Sequence, residues 1–201
     1  ITKSLLTSVI VAATLAFLAG CAGMADAGSA FSGLGRISET KSTYDGKRVI
    51  TVSPAPLYDP NGGWMGVPFF LGAEWNEAYP DTVGLVLQYK SSTSASNLYI
   101  SFRTLKINVD GKTYTFDSSG NTNYSSGTYN SVSKRIYTES ESVIPIPYDL
   151  FKQMMNSSNC TLRIGSSQGY VDALFSQDRI PGGQGTAKHY MIELADRIEG
   201  K

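Results

Sequence analysis

The stretch LKINVDGKTYTF, residues 105–116, constrains the fold more than any other part of the chain. Every second residue from Leu105 to Val109 is apolar, which is typical of a strand with one buried face. Asp110-Gly111 then supplies the two residues that tolerate positive φ in a type I′ turn. Because a two-residue turn places Val109 opposite Lys112, the aromatic residues of the returning strand fall on the same face. The sequence therefore predicts a β-hairpin.

Other runs in the chain are also typical of strands. RVITVSPAPLY (48–58) and TVGLVLQYK (82–90) are rich in β-branched and aromatic residues, and RIYTESESVIPIP (135–147) ends in prolines that belong at a sheet edge. The apolar residues of 98–102 and 105–109 differ in parity, so we expect a bulge or bend near Arg103 and Thr104 that divides this run into two strands.

Two segments have the periodicity of amphipathic helices. A short helix is expected near residues 148–155, after Pro147, and a C-terminal helix near residues 187–198. The strands are too close in sequence for βαβ crossovers, which favours an antiparallel arrangement. We predict an antiparallel β-sandwich of about six to eight strands with these two helices.

Composition bounds the size and the partners of the molecule. With 201 residues, 41% of them hydrophobic, the chain has enough apolar side chains for one core, and we place a single globular domain over residues 44–201. Its 17 basic and 17 acidic residues give no net charge, and there is no dense basic stripe. Nucleic acid is therefore not an expected partner.

The N-terminal segment differs from everything that follows it. Lys3 precedes a run without formal charge, residues 5–18, which suits the core of a signal peptide and is short for a membrane span. The run closes on Leu18-Ala19-Gly20-Cys21.

This N-terminal pattern resembles the signal peptide and lipobox of bacterial lipoproteins. The resemblance implies that residues 1–20 are removed and that Cys21 carries a diacylglyceryl group and an N-acyl chain, with no other cofactor. Ala22 follows the cysteine, which in a Gram-negative host implies the outer membrane, facing the periplasm. An uncleaved anchor helix is the alternative, and it also attaches the domain to a membrane.

Residues 21–43 are dominated by Ala, Gly and Ser, a composition that predicts a flexible tether. The alternative is that Phe31, Leu34 and Ile37 dock onto the domain. Cys160, the second cysteine, and Leu162 alternate with polar residues. This pattern predicts that Cys160 is buried on a strand and is not a reactive nucleophile.

Three groups of polar residues have the residue types of a catalytic or metal site. GSSQG (165–169) centres on Ser167 and precedes Asp172 and His189 in the order used by α/β-hydrolases, but the spacing favours a hairpin turn. Glu139 and Glu141 point the same way on one strand, which favours protection of a sheet edge over a glycosidase pair. The face that His189 shares with Glu193 and Asp196 is typical of a solvated helix. We assign no catalytic residue and no metal site.

Aromatic residues in polar surroundings suggest recognition. The candidate binding surface consists of Trp64, Trp75, Tyr124 and Tyr129, the two tyrosines lying in a polar loop over residues 118–131. The leading hypothesis is a non-enzymatic, lipid-anchored envelope lipoprotein that binds another envelope protein or a glycan. The alternative is an envelope hydrolase of the esterase or glycosidase type with an unidentified active site.

Overall fold

The computed structural model describes residues 33–58, 69–118, 121–179 and 185–200. These residues form two antiparallel sheets and two helices, which confirms the mainly β, sandwich-like fold. The strands are β1 (Ile37–Lys41), β2 (Arg48–Pro56), β3 (Phe69–Asn76), β4 (Thr82–Ser92), β5 (Phe102–Val109), β6 (Lys112–Asp117), β7 (Asn123–Asn130), β8 (Arg135–Pro147), β9 (Cys160–Ser166) and β10 (Gly169–Leu174). The helices are α1 (Tyr148–Asn156) and α2 (Ala187–Glu199), close to their predicted bounds.

The six-stranded sheet has the order β1-β2-β3-β4-β8-β7, and the four-stranded sheet has the order β10-β9-β5-β6. The described residues thus contain more strands than the six to eight expected from sequence. Two of these strands lie where the sequence predicts other structure: β1 inside the predicted tether, and β7 inside the predicted polar loop. Both are held by pairing to a neighbour, since neither has the apolar alternation from which strands are predicted.

The hairpin of β5 and β6 has the predicted register. Val109 pairs with Lys112, and the turn residues Asp110 and Gly111 have φ values of 50° and 90°. The expected bulge is also present, since the pairing of β5 with β9 shifts between Phe102 and Thr104. Residues 98–101 are not a strand, however, so the expectation of two strands in this run was wrong.

The core lies between the two sheets and beneath α2. Alternate residues of β4, β5 and β9 are buried, and α2 packs on β2 and β3. Burial of this apolar surface is the main term stabilising the fold. Neither helix in the described ranges has the length and apolar character needed to cross a membrane.

The predicted tether of residues 21–43 was wrong at its C-terminal end. Of the three residues in the alternative expectation, Ile37 packs against the core and Leu34 is half-buried. The strand β1 pairs with β2 along its whole length. Glu39 and Arg48 join the two strands by an ion pair of 2.8 Å. The predicted signal peptide, Cys21 and Phe31 lie outside the described residues.

Cys160 is buried on β9, as the alternation of apolar and polar residues in this segment predicted. Desolvation raises the pKa of its thiol to about 12, against a smaller opposing effect of Lys188. The thiol is therefore protonated at neutral pH, the state of an inert core residue.

Candidate functional site

The four aromatic residues of the predicted binding surface differ in exposure. Trp75 is only 5% exposed, and its indole N–H donates to the carbonyl oxygen of Pro80 at 3.1 Å. Its assignment to a binding surface was therefore wrong: the alternation of β3 turns the ring into the core. Trp64 lies outside the described residues. Tyr124 and Tyr129 are 52% and 61% exposed, so both are accessible.

The two exposed tyrosines belong to strand β7 rather than to a loop. Tyr124 pairs with Ser140 of β8 and Tyr129 pairs with Ile136. Because those partners are four residues apart, both tyrosines project from the face of the sheet on which Ser140 is buried. Tyr124 contacts the chain that enters β5, at Tyr99 and Ser101.

This meeting point forms an open cleft, which we call the Tyr99–Tyr124 cleft. Its volume is about 440 Å³, within the range of small-ligand sites. It is lined by Tyr99, Ile100, Ser101, Tyr124 and Ser167. The rings of Tyr99 and Tyr124 meet edge to face, with centroids 5.6 Å apart and an interplanar angle of 80°. None of these five lining residues carries a charge.

Hydrogen bonds fix the wall of the cleft. The hydroxyl groups of Ser101 and Tyr124 are 2.7 Å apart. The backbone N–H of Ser101 donates to Ser167 Oγ at 3.1 Å, and the N–H of Ser167 donates to the carbonyl oxygen of Ser101 at 2.8 Å. These bonds hold the turn between β9 and β10 against residues 99–101, so contacts within the chain fix this wall of the cleft.

Sequence reasoning identified Tyr124 but missed Tyr99 and Ser101. Both residues precede β5 by a few positions, at the end of an apparent strand whose apolar residues are Leu98, Ile100 and Phe102. Tyr99 has the opposite parity to Ile100, which does predict that it faces away from the core. Its contact with Tyr124 depends on how the two sheets pack against each other, and the local sequence does not determine that packing.

The arrangement around Ser167 is that of a hairpin turn, as the spacing favoured. Ser166 pairs with Gly169, and Ser167 and Gln168 form the turn between them. Ser167 Oγ accepts the hydrogen bond of a backbone N–H, while Asp172 is ion-paired with Arg163 at 2.6 Å. The guanidinium lowers the pKa of the Asp172 carboxyl group.

The interpretation of Glu139 and Glu141 as edge protection was wrong. At these positions β8 lies between β4 and β7, because Lys90 and Ser125 flank Glu139 on the two sides. The Gln88 amide donates to both carboxylates at 3.4 Å. The prolines of β8 do lie at an edge, since the pairing of β7 with β8 ends at Glu141.

His189, Glu193 and Asp196 lie on the exposed face of α2, as the periodicity predicted. Glu193 is paired with Arg197 at 2.7 Å. Within the ranges that the structure describes, no group of three or more His, Cys, Asp or Glu side chains is placed to hold a metal ion.

Comparison with protein-family models and with curated proteins finds no match to this chain. The candidate site is therefore defined by its own geometry. Its components are two exposed aromatic rings, a set of hydroxyl groups and a concave shape.

Proposed function

We propose that this chain is a lipid-anchored lipoprotein of the bacterial cell envelope, in the outer membrane of a Gram-negative host, whose domain binds a neutral glycan through the Tyr99–Tyr124 cleft. The anchor is supported by Lys3, the apolar run 5–18 and the cysteine that closes it, Cys21. The single observation that carries the binding role is the exposed Tyr99–Tyr124 ring pair in a cleft walled by hydroxyl groups.

The chemistry of the cleft matches that of a sugar. A sugar ring presents apolar C–H groups on its faces and hydroxyl groups at its rim. Tyrosine rings pack against the former, while Ser101, Ser167 and the tyrosine hydroxyl groups exchange hydrogen bonds with the latter. Because the lining residues carry no charge, the cleft favours an uncharged glycan over an acidic or basic ligand. A protein partner, the other expectation from sequence, would use the same rings as anchors.

The binding role is tested with the full chain, purified in detergent, on an array of bacterial surface glycans and then by titration of any glycan retained. We expect Tyr124→Ala to weaken binding about tenfold or more, the loss of one anchoring ring. Tyr44→Ala is the matched control, because Tyr44 is 98% exposed and lies in the turn between β1 and β2. Equal affinities of the two variants, or no retention of any glycan, would refute the glycan proposal.

The anchor is tested separately by mass spectrometry of the chain made in a bacterial host. We expect the N-terminal peptide to begin at Cys21 with the mass of a diacylglyceryl group and an acyl chain. The variant Cys21→Ser should keep its signal segment and lose both lipids. An intact, unacylated N-terminus in the unaltered chain would contradict the proposed anchor.

A further inference from the structure

Strand β7 is an edge strand without a charged residue. It pairs only with β8 and ends the six-stranded sheet, so one row of its backbone N–H and C=O groups has no strand partner among the described residues. Charged side chains commonly protect such edges. The other three edge strands each carry at least one: Glu39 and Lys41 on β1, Lys112 and Asp117 on β6, and Asp172 on β10. The sequence NYSSGTYN leaves β7 open to a further strand.

The sequence of β7 is also nearly the same when it is read backwards. Asn, Tyr and Ser at positions 123–125 are mirrored by Asn, Tyr and Thr at positions 130–128. An antiparallel pair of two β7 strands, with a two-fold axis between residues 126 and 127, therefore places like against like. Asn lies opposite Asn, Tyr opposite Tyr and Ser opposite Thr, with no charge on either strand. A two-fold interface requires this kind of self-complementarity.

The bulge in β7 makes this register consistent with the faces of the sheet. In a regular strand, residues five apart lie on opposite faces, so Tyr124 could not lie opposite a second copy's Tyr129. In β7, Gly127 and Thr128 together stand opposite a single residue of β8, because Ser126 pairs with Thr138 and Tyr129 with Ile136. The extra residue returns Tyr129 to the face that Tyr124 occupies.

We propose that a second copy of this chain adds to the β7 edge by this two-fold antiparallel pairing, joining the two six-stranded sheets into one. Tyr129 of the second copy then lies opposite Tyr124 and lengthens the aromatic cleft of the first. That added role of Tyr129 rests on the proposed function; the pairing itself does not. An eight-residue edge is small beside a standard interface, so the dimer is weak in solution. Attachment to a membrane would raise its effective concentration.

Disulfide trapping tests the register with the full chain. In the proposed pairing, residue 125 of one copy lies opposite residue 128 of the other. Residue 125 lies about three residues, roughly 10 Å, from residue 125 of the second copy, and the same holds for residue 128. We expect a mixture of the Ser125→Cys and Thr128→Cys chains to form a disulfide between positions 125 and 128 under mild oxidation. Each variant alone should give at least about tenfold less dimer, because directly opposite residues have the separation that a disulfide requires.

A charge exchange provides the matched control. We expect sedimentation to show a dimer of the unaltered chain at about 100 µM. Ser125→Lys with Thr128→Lys places like charges opposite each other and should remove that dimer. Ser125→Lys with Thr128→Asp differs at one position only and should restore it, because each Lys then faces an Asp of the other copy. Three results would overturn the proposal: a monomeric unaltered chain, equal dimerisation of the two double variants, or equal disulfide formation by the mixture and by each cysteine variant alone. No ligand takes part, so failure here and failure of glycan binding are separate results.

Discussion

The thiol of Cys160 offers a quantitative test of the sandwich core. Its pKa is about 12, against an ordinary value of 9.0, because desolvation inside the core disfavours the thiolate. At pH 8 the thiolate fraction of an ordinary thiol is roughly 10%, and a shift of about three pH units lowers it about 1,000-fold. Since the thiolate is the nucleophile, we expect native Cys160 to react with iodoacetamide about 1,000 times more slowly than in the unfolded chain.

The assay follows alkylation of the full chain at pH 8 by mass spectrometry, in buffer and in denaturing urea. Ser131→Cys places an exposed thiol in the turn between β7 and β8 and serves as the internal reference for ordinary reactivity. A native rate for Cys160 within about tenfold of this reference would refute the burial that we describe. The unaltered chain, alkylated in urea, also reports on the anchor: one alkylated cysteine is expected if Cys21 is acylated, and two if it is free.

Three further substitutions test individual contacts. Gly72→Ala should lower the free energy of unfolding by about 1–3 kcal/mol in urea titrations, because a Cβ atom at Gly72 would lie 2.6 Å from the carbonyl oxygen of Val52. Arg163→Ala should cost less than about 1 kcal/mol, since its pair with Asp172 is half exposed, and NMR titration should show the Asp172 pKa rising toward 3.8. Burial lowers the pKa of Lys188 below its ordinary value of 10.5. Between the folded-state pKa and pH 10.5 the unfolded chain therefore binds more protons than the folded chain, and the free energy of unfolding rises with pH in this range. Urea titrations at several pH values should show this rise lost in Lys188→Met.

The parts of the fold that were predicted correctly are those in which a local pattern specifies the structure by itself. The β5–β6 hairpin follows from the strict alternation of apolar and polar residues and from Asp110-Gly111, which favours a type I′ turn. The structure has Val109 opposite Lys112, as expected. The two helices follow from apolar residues at helical spacing, with Pro147 before the first. In each case the residues that determine the element lie within it.

The elements that were missed depend on partners distant in sequence. The strand β1 contains one apolar residue, Ile37, in an otherwise polar run, and it forms because β2 offers an edge. Trp75 stands near glycine and asparagine in the sequence, yet the alternation of β3 sets its side chain inside. Tyr99 reaches the cleft only because the stacking of the sheets brings residues 99–101 against β7 and the β9–β10 turn.

Strand β7 shows most clearly why the candidate site could be predicted only in part. Its Ser, Asn and Gly residues have low strand propensity, and all eight of its residues are exposed, so neither propensity nor burial favours a strand. What holds it is the ladder to β8, on one side only. A strand in that position adds little apolar area to the core, which leaves its sequence free to serve another purpose. The two proposed contacts outside the monomer, a ligand at Tyr124 and a second copy along the edge, would account for its exposed tyrosines, its absence of charge and its near-symmetric sequence.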